Sequence, residues 1–386
     1  MNGVDASART RVVEGVGSLA RLGELVREQG TRALLVTDPG LVASGHVARA
    51  EELLRASDVE VHRFAETREN PTTQDVARCA TLAREVEPDV LVGFGGGSSI
   101  DVAKGANFVW RGGGELSDYL GRGEGELDLA PLVAVPTTAG TGTEVQSFAL
   151  IADEETHAKM ACGHPSAAPR VALLDAELTV TQPRFVTACT GLDAIGHAVE
   201  VAVTTRGNEV SYAHAREAFA LAAEAFPRVL DAPDDLDARA KMLRAAALAG
   251  RGIENSMLGA AHSMANPLTA HFDVPHGQAV ATALPLVVSY NAAEDESLDR
   301  YADLARAAGL VAASASRDEA CRALVTTLEG YLDRAGLPRG WGALGVGEGD
   351  CARLAGEAAT QWTAQFNPRA IGAEEFTDLY RLGVTR

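Results

Sequence analysis

Along the first half of the chain, β-rich runs at residues 33–37, 59–64, 90–94 and 132–135 alternate with stretches whose apolar residues recur every three or four positions. Strand, helix, strand repetition of this kind predicts a mostly parallel sheet with helices on both faces. Residues 147–152 and 170–174 read as further strands, and beyond Pro183 the strand pattern fades. Helical spacing takes over at 212–229, 236–252 and 278–290. The expected organisation is an α/β domain over residues 1–181 and an all-helical domain over residues 182–386. An acidic turn at 231–237 and a Gly-rich stretch at 340–349 are too short to act as interdomain linkers, and no internal repeat is visible.

Composition narrows the partners. With 386 residues the chain has ample length for two cores, and its 46% apolar and 23% charged residues are those of a folded protein. The 53 acidic side chains outnumber the 34 basic ones, a net charge of −19, and no basic stretch interrupts them. Neither nucleic acid nor an anionic membrane surface is an expected partner. Cys79, Cys162, Cys189, Cys321 and Cys351 are odd in number and scattered, which predicts reduced thiols. The first eleven residues are polar and charged where a signal peptide needs an apolar stretch, so a cytoplasmic location is expected.

Two loops carry candidate phosphate-binding chemistry. Gly95-Gly96-Gly97-Ser98-Ser99-Ile100-Asp101 follows one predicted strand and opens a helix. Glycines let the backbone approach an anion, and the first helical amides can hold a pyrophosphate. A Gly-rich turn with Ser98 as helix cap explains the same residues, and the G-x-G-x-x-G fingerprint is absent. The second loop, Pro136-Thr137-Thr138-Ala139-Gly140-Thr141-Gly142-Thr143-Glu144, follows the next strand and offers hydroxyls and amides. Two such loops at neighbouring strand ends suggest a dinucleotide. Asp38, at the end of an earlier strand, can accept from an adenosine ribose and repel a 2′-phosphate, or simply serve the Asp38-Pro39-Gly40 turn. Lys159 is a candidate for the ribose or a solvated charge.

Metal chemistry is suggested further along. Asp193 and His197 are four apart in a helical pattern, which sets a carboxylate and an imidazole on one face. His262 lies in an Ala/Met/Leu-rich helical run and His276 follows the break Asp273-Val274-Pro275. Three imidazoles and one carboxylate suit Fe(II) or Zn(II) better than Ca or Mg.

Together, Gly95 to Asp101, Pro136 to Glu144, Gly191 to Glu200 and His262 to Gly277 resemble the iron-containing (group III) alcohol dehydrogenases. The likeness runs from Gly15-Val16-Gly17-Ser18-Leu19 to Phe366-Asn367-Pro368-Arg369. It implies a Rossmann-like α/β N-terminal domain with a parallel sheet, an all-α C-terminal domain (the fold shared with dehydroquinate synthase), and a cleft holding NAD(P) and the metal, with NAD(H) the expected cofactor and NADP tolerated at most. Asp193, His197, His262 and His276 match the family's metal ligands. Gly96, Gly97, Ser98, Asp101, Thr138, Thr141 and Lys159 match its cofactor-binding positions, to which Gly95 and Thr137 of the same loops are added, and Asp38 stands where an acidic residue goes with NAD.

The resemblance implies metal-dependent hydride transfer between a small alcohol or aldehyde and nicotinamide C4. Where many members carry a further histidine four residues after the ligand matched by His262, this chain has Asn266. His262 and His276 are expected to act through the metal. An amide cannot shuttle a proton, so either His271, the cofactor ribose or water completes the relay, or the substrate differs from that of the histidine-bearing members; His271 reads more readily as a residue flanking the site or on the surface. Ile253, Glu254 and Ser256 are expected to shape the substrate pocket, unless Glu254 faces solvent or caps a helix. A dehydroquinate-synthase-like lyase or cyclase is the alternative. A homodimer is expected, through an isolated short strand at residues 11–16.

Overall fold

The computed structural model describes residues 6–155 and 159–386; residues 1–5, on which part of the reading of the N-terminus rests, lie outside them. The chain divides into two compact units, Ala6–Gln182 and Pro183–Arg386.

The first unit carries the strands β1 (Arg11–Glu14), β2 (Arg32–Val36), β3 (Glu60–Phe64), β4 (Val90–Gly95), β5 (Gly121–Arg122), β6 (Leu132–Pro136), β7 (Phe148–Ala152), β8 (Lys159–Gly163) and β9 (Val171–Leu174). Helices α1 (Leu22–Arg27), α2 (Pro39–Ser44), α3 (His46–Ala56), α4 (Thr73–Val86) and α5 (Gly97–Asn107) connect the early strands. Six strands form one sheet in the order β1-β9-β6-β4-β2-β3, parallel at every pairing. Strands β4 and β6 are buried along their whole length, as a sheet covered on both faces requires. Alternation does the rest: Leu34 and Val36 enter one core, while Ala33 and Leu35 enter the other. The chain runs from β2 out to β3 and back past β2 to β4, so the connections reverse there, and β2 and β4 end at a crevice of the kind where α/β sheets bind ligands.

Two strand expectations change on contact with the fold, and strand β8 was not expected at all. Residues 148–152 do form a strand, but β7 pairs antiparallel with β8 in a separate three-stranded sheet. Strand β8, ending Ala161-Cys162-Gly163, has no pattern of its own and is made by that pairing. The segment near residue 11 is not isolated: β1 runs parallel to β9, with Arg11 beside Val171 and Glu14 beside Leu174.

The second unit consists of α6 (Arg184–Val201), α7 (Glu209–Asp231), α8 (Leu236–Glu254), α9 (Ala260–Phe272), α10 (His276–Asn291), α11 (Asp295–Ala307), α12 (Arg317–Ala335), α13 (Cys351–Thr360) and α14 (Ala373–Val384), with longer connections carrying 3-10 turns after α12 and α13. Helices α6 and α10 are buried almost all round and pack on each other, α6 also against α7 and α8. The five cysteines are buried and none forms a disulfide. Among the described residues no helix is long and apolar enough to cross a membrane.

Candidate metal centre and dinucleotide loops

Helix α6 presents Asp193 and His197 one turn apart, α9 brings His262 from its first turn, and His276 opens α10. Their atoms converge on one carboxylate oxygen: Asp193 Oδ1 lies 3.5 Å from His197 Nε2, 3.5 Å from His262 Nε2 and 3.8 Å from His276 Nε2. Asp193, His262 and His276 form the tightest group, their donor atoms all within 4.8 Å of one another. The His197 ring stacks on that of His262 with centroids 4.8 Å apart. Close approach of α10 to α6 depends on Gly277, because a Cβ there would meet Cys189 O of α6 at 2.0 Å.

Asp193 Oδ1 and His262 Nε2 are buried without a hydrogen-bond partner. Leaving such atoms unsatisfied costs on the order of 1–3 kcal/mol each, and a cation among them satisfies both. The donor set, three imidazoles and a carboxylate, therefore fits a divalent transition ion. Electrostatics agree with the geometry. Burial opposes ionisation of Asp193, but the imidazoles of His197, His262 and His276 hold its carboxyl well below the ordinary carboxylate range. Burial pushes His262 down, yet the Glu200 and Asp193 carboxylates outweigh it and raise the imidazole to about 9. The pocket is built for positive charge.

Glu200, one turn beyond His197 on α6, is a residue the sequence reading passed over. Its Oε2 accepts from His262 Nδ1 at 2.5 Å, and its Oε1 accepts from the Ala261 amide at 2.6 Å. The signal was present, since Asp193, His197 and Glu200 share one helix face.

His271 is not part of this group. It sits in the last turn of α9, exposed, with Nε2 2.7 Å from Glu357 Oε2 on α13. It lies nine positions further along the helix than His262, about 13 Å along the axis. Asn266 donates to Gln361 Oε1 at 2.9 Å. Glu254 is buried at the end of α8, contrary to the solvent-facing reading; Ser256 is buried and donates to Gly252 O at 2.7 Å, and Ile253 is half-buried.

In the α/β unit, the loops after β4 and β6 lie side by side. The Thr137 amide donates to Gly95 O at 2.9 Å, and a Cβ on Gly97 would meet Thr141 Cγ2 at 2.7 Å. Gly95 has φ +155°, and a Cβ there would meet Ser99 Oγ at 2.5 Å, so this turn needs glycine. Helix α5 begins at Gly97 with Gly96 as its cap residue and no side-chain cap; Ser98 lies inside the first turn and is not the cap. Asp38 follows β2, where Oδ1 caps α2 by accepting from the Leu41 amide at 3.0 Å.

Asp101 is buried, and both of its carboxylate oxygens are engaged. Its Oδ1 accepts from the Thr143 hydroxyl at 2.5 Å and its Oδ2 from the Leu150 amide at 3.1 Å. Burial raises its pKa, against the opposing pull of Lys104. Lys104, fully buried on α5, donates to Thr143 O, Thr143 Oγ1 and Phe148 O at 2.6, 2.6 and 2.8 Å. Together these residues tie the second loop to α5. Lys159, at the head of β8, pairs in register with Ala152 and is near enough to act on the Asp101 charge.

The sequence profile for iron-containing alcohol dehydrogenase matches residues 9–176, and that for the Fe-containing alcohol dehydrogenase family, C-terminal, matches residues 187–383. The chain belongs to the iron-containing alcohol dehydrogenase family. Among this family's members it is 31% identical to the NAD-dependent methanol dehydrogenase of Bacillus methanolicus over 370 residues, 96% of this chain and 97% of that protein. It is 33% identical to the choline dehydrogenase of Bacillus subtilis over 376 residues, 96% of this chain and 93% of that protein. The crystal structure of a 1,3-propanediol oxidoreductase superposes with TM-score 0.92 at 32% identity, covering 96% of this chain and 97% of the other. Dehydrogenases across the full length support alcohol dehydrogenase chemistry and not the lyase alternative.

Proposed function

We propose that this iron-type alcohol dehydrogenase interconverts a small primary alcohol and its aldehyde, using NAD(H) and one divalent ion, Fe(II) in preference to Zn(II). The observation that carries the reading is the convergence of His197, His262 and His276 on Asp193 Oδ1, with that oxygen and His262 Nε2 buried and unpartnered. An ion held there supplies Lewis-acid polarisation of the substrate oxygen, and the nicotinamide supplies or takes the hydride. Asp193 contributes the negative charge that retains the ion, while the imidazoles fix its place. Asn266, tied to Gln361, has no proton to pass at neutral pH, and His271 is engaged with Glu357, so the substrate proton leaves by the cofactor ribose or water.

For the cofactor, the uncapped first turn of α5 receives the pyrophosphate, with Gly95, Gly96, Gly97 and Ser98 against it and Thr137, Thr138 and Thr141 alongside. Asp101 shapes this loop pair from beneath. Lys159 serves the ribose side, and Asp38 at the β2 end favours NAD over NADP by repelling a 2′-phosphate. Methanol, choline and 1,3-propanediol in the relatives' names are all primary alcohols, which supports that substrate class. The outer edge of β1, which ends its sheet, is the surface we assign to a homodimer.

The test is NADH oxidation over a panel of small aldehydes, with chelator-stripped protein reloaded with Fe(II), Zn(II) or nothing. Metal-dependent turnover with NADH at least tenfold preferred over NADPH is expected. Metal uptake without net NADH consumption on any aldehyde would overturn the reading.

A further inference from the structure

We infer that Glu200 is a positioning residue for the metal centre: it holds His262 in the tautomer whose Nε2 can ligate, and thereby sets the affinity of the site for a divalent cation. The inference rests on the proposed assignment of Asp193, His197, His262 and His276 as ligands. Glu200 is buried, 4% exposed, and its Oε2 stands 2.5 Å from His262 Nδ1. With Glu200 Oε2 accepting at Nδ1, a cation that displaces the proton from Nε2 leaves Nδ1 its own and finds the Nε2 lone pair turned toward Asp193. A carboxylate behind a ligating histidine fixes ring orientation and strengthens the ligand.

The same carboxylate also locates the ring along the chain. Helix α9 has no side-chain cap of its own. Its opening amides are taken by side chains from elsewhere: Gly259 by Glu200 Oε2 at 3.2 Å, Ala261 by Glu200 Oε1 at 2.6 Å, and Ala260 by Asn367 Oδ1 at 3.3 Å. Asn367 is itself held by Asn291, whose Nδ2 donates to it at 3.0 Å. Helix start and imidazole are thus registered by one group on α6, the helix that carries Asp193 and His197. The Phe366-Asn367-Pro368-Arg369 segment acquires a role here as the third wall of that socket.

A bare helix-capping role and a positioning role predict different things for two variants. In Glu200→Gln only one oxygen can accept. With it on Ala261, the amide nitrogen faces Gly259 N–H and donates to Nδ1, driving the imidazole proton to Nε2 and masking the ligand; with it on His262, the nitrogen faces the Ala261 amide and the ring loses its register on α6. Asn367→Ala removes a cap bond from α9 but leaves the His262 contact intact. Zn(II) alone is titrated into the chelator-stripped full chain against a chromophoric chelator, and thermal unfolding of each stripped protein is recorded. Glu200→Gln is expected to raise the Zn(II) Kd by roughly 10- to 100-fold, and Asn367→Ala by less than about threefold despite a comparable fall in Tm. Equal Zn(II) affinity in Glu200→Gln and the native protein, or losses that track Tm in both variants, overturns the inference. If His276→Ala weakens Zn(II) and Glu200→Gln does not, the ligand assignment stands and only the role of Glu200 falls. Native protein that takes up no Zn(II) overturns both. Should Glu200→Gln fail to fold, long-range ¹H–¹⁵N spectra of the zinc-loaded native protein decide: His262 must be protonated at Nδ1, and a bare Nδ1 refutes the proposal.

Discussion

The α/β unit and the helical unit assemble their candidate sites from different materials. In the first, backbone dominates: a glycine turn at φ +155°, an uncapped helix start and a neighbouring Thr-rich loop, with Asp101 and Lys104 buried beneath as struts. In the second, four side chains from three helices meet at a single oxygen, and the groups that aim them come from α6 and from the segment around Asn367. A backbone site is robust to most side-chain changes and sensitive to an added Cβ. A side-chain centre fails with one substitution.

The sharpest test of that contrast is Asp193→Asn. It removes the charge on which three imidazoles converge, so kcat/KM is expected to fall on the order of 10³-fold or more, the several kcal/mol a Lewis acid supplies. NADH affinity, measured by fluorescence quenching, should change less than twofold if the two sites are independent in construction. Loss of both together would break the comparison.

Next in size is the buried strut region. Glu144 is the last residue of the second loop, with Oε1 unpartnered, and burial pushes its carboxyl up to about 7. The folded state thus binds this proton more tightly than the unfolded chain, whose carboxyl titrates near 4.5. Its contribution is fully present below pH 4.5 and declines as pH rises toward 7, by up to about 3 kcal/mol. Glu144→Gln should remove that slope, so its stability relative to the native protein improves between pH 5 and 8 in urea titrations; parallel pH profiles for the two proteins would refute it.

How much of this was legible in the sequence follows from the same division. Alternating β runs and helical spacing located β2, β3, β4, β6 and β9; for strands covered on both faces, such as β4 and β6, apolar pattern and structure coincide. Strand β8 was not legible, since its only cause is the partner strand β7. The convergence of Asp193, His197, His262 and His276 was legible through residue types with few alternative uses at those spacings. What holds it was not: Glu200 reads as one more charged helix residue and Asn367 as a turn residue until α9 is seen to lack its own cap. The cap of α5 was not legible either: Gly96 and not Ser98 holds that place, because spacing reports that a helix starts but not which atoms its first turn leaves open.

Gly95→Ala tests the backbone site directly. An alanine Cβ at φ +155° would be strained and 2.5 Å from Ser99 Oγ. Strain of about 1–3 kcal/mol should appear as a roughly tenfold or greater weakening of NADH binding, with Zn(II) uptake by the stripped protein unchanged. An unchanged NADH Kd would show that the turn relaxes without moving the α5 amides.

The smallest effect is also the most discriminating about histidines. His262 and His271 lie on one helix, yet the first is buried against two carboxylates and the second is exposed beside Glu357. Exposed ion pairs contribute about 0–1 kcal/mol. His271→Ala should therefore leave kcat/KM within about twofold at every pH, whereas His262→Ala abolishes metal-dependent turnover. A bell-shaped pH profile that loses a limb in His271→Ala would return this residue to the proton path and require α9 to move during the reaction, because a static helix keeps it about 13 Å along the axis from His262.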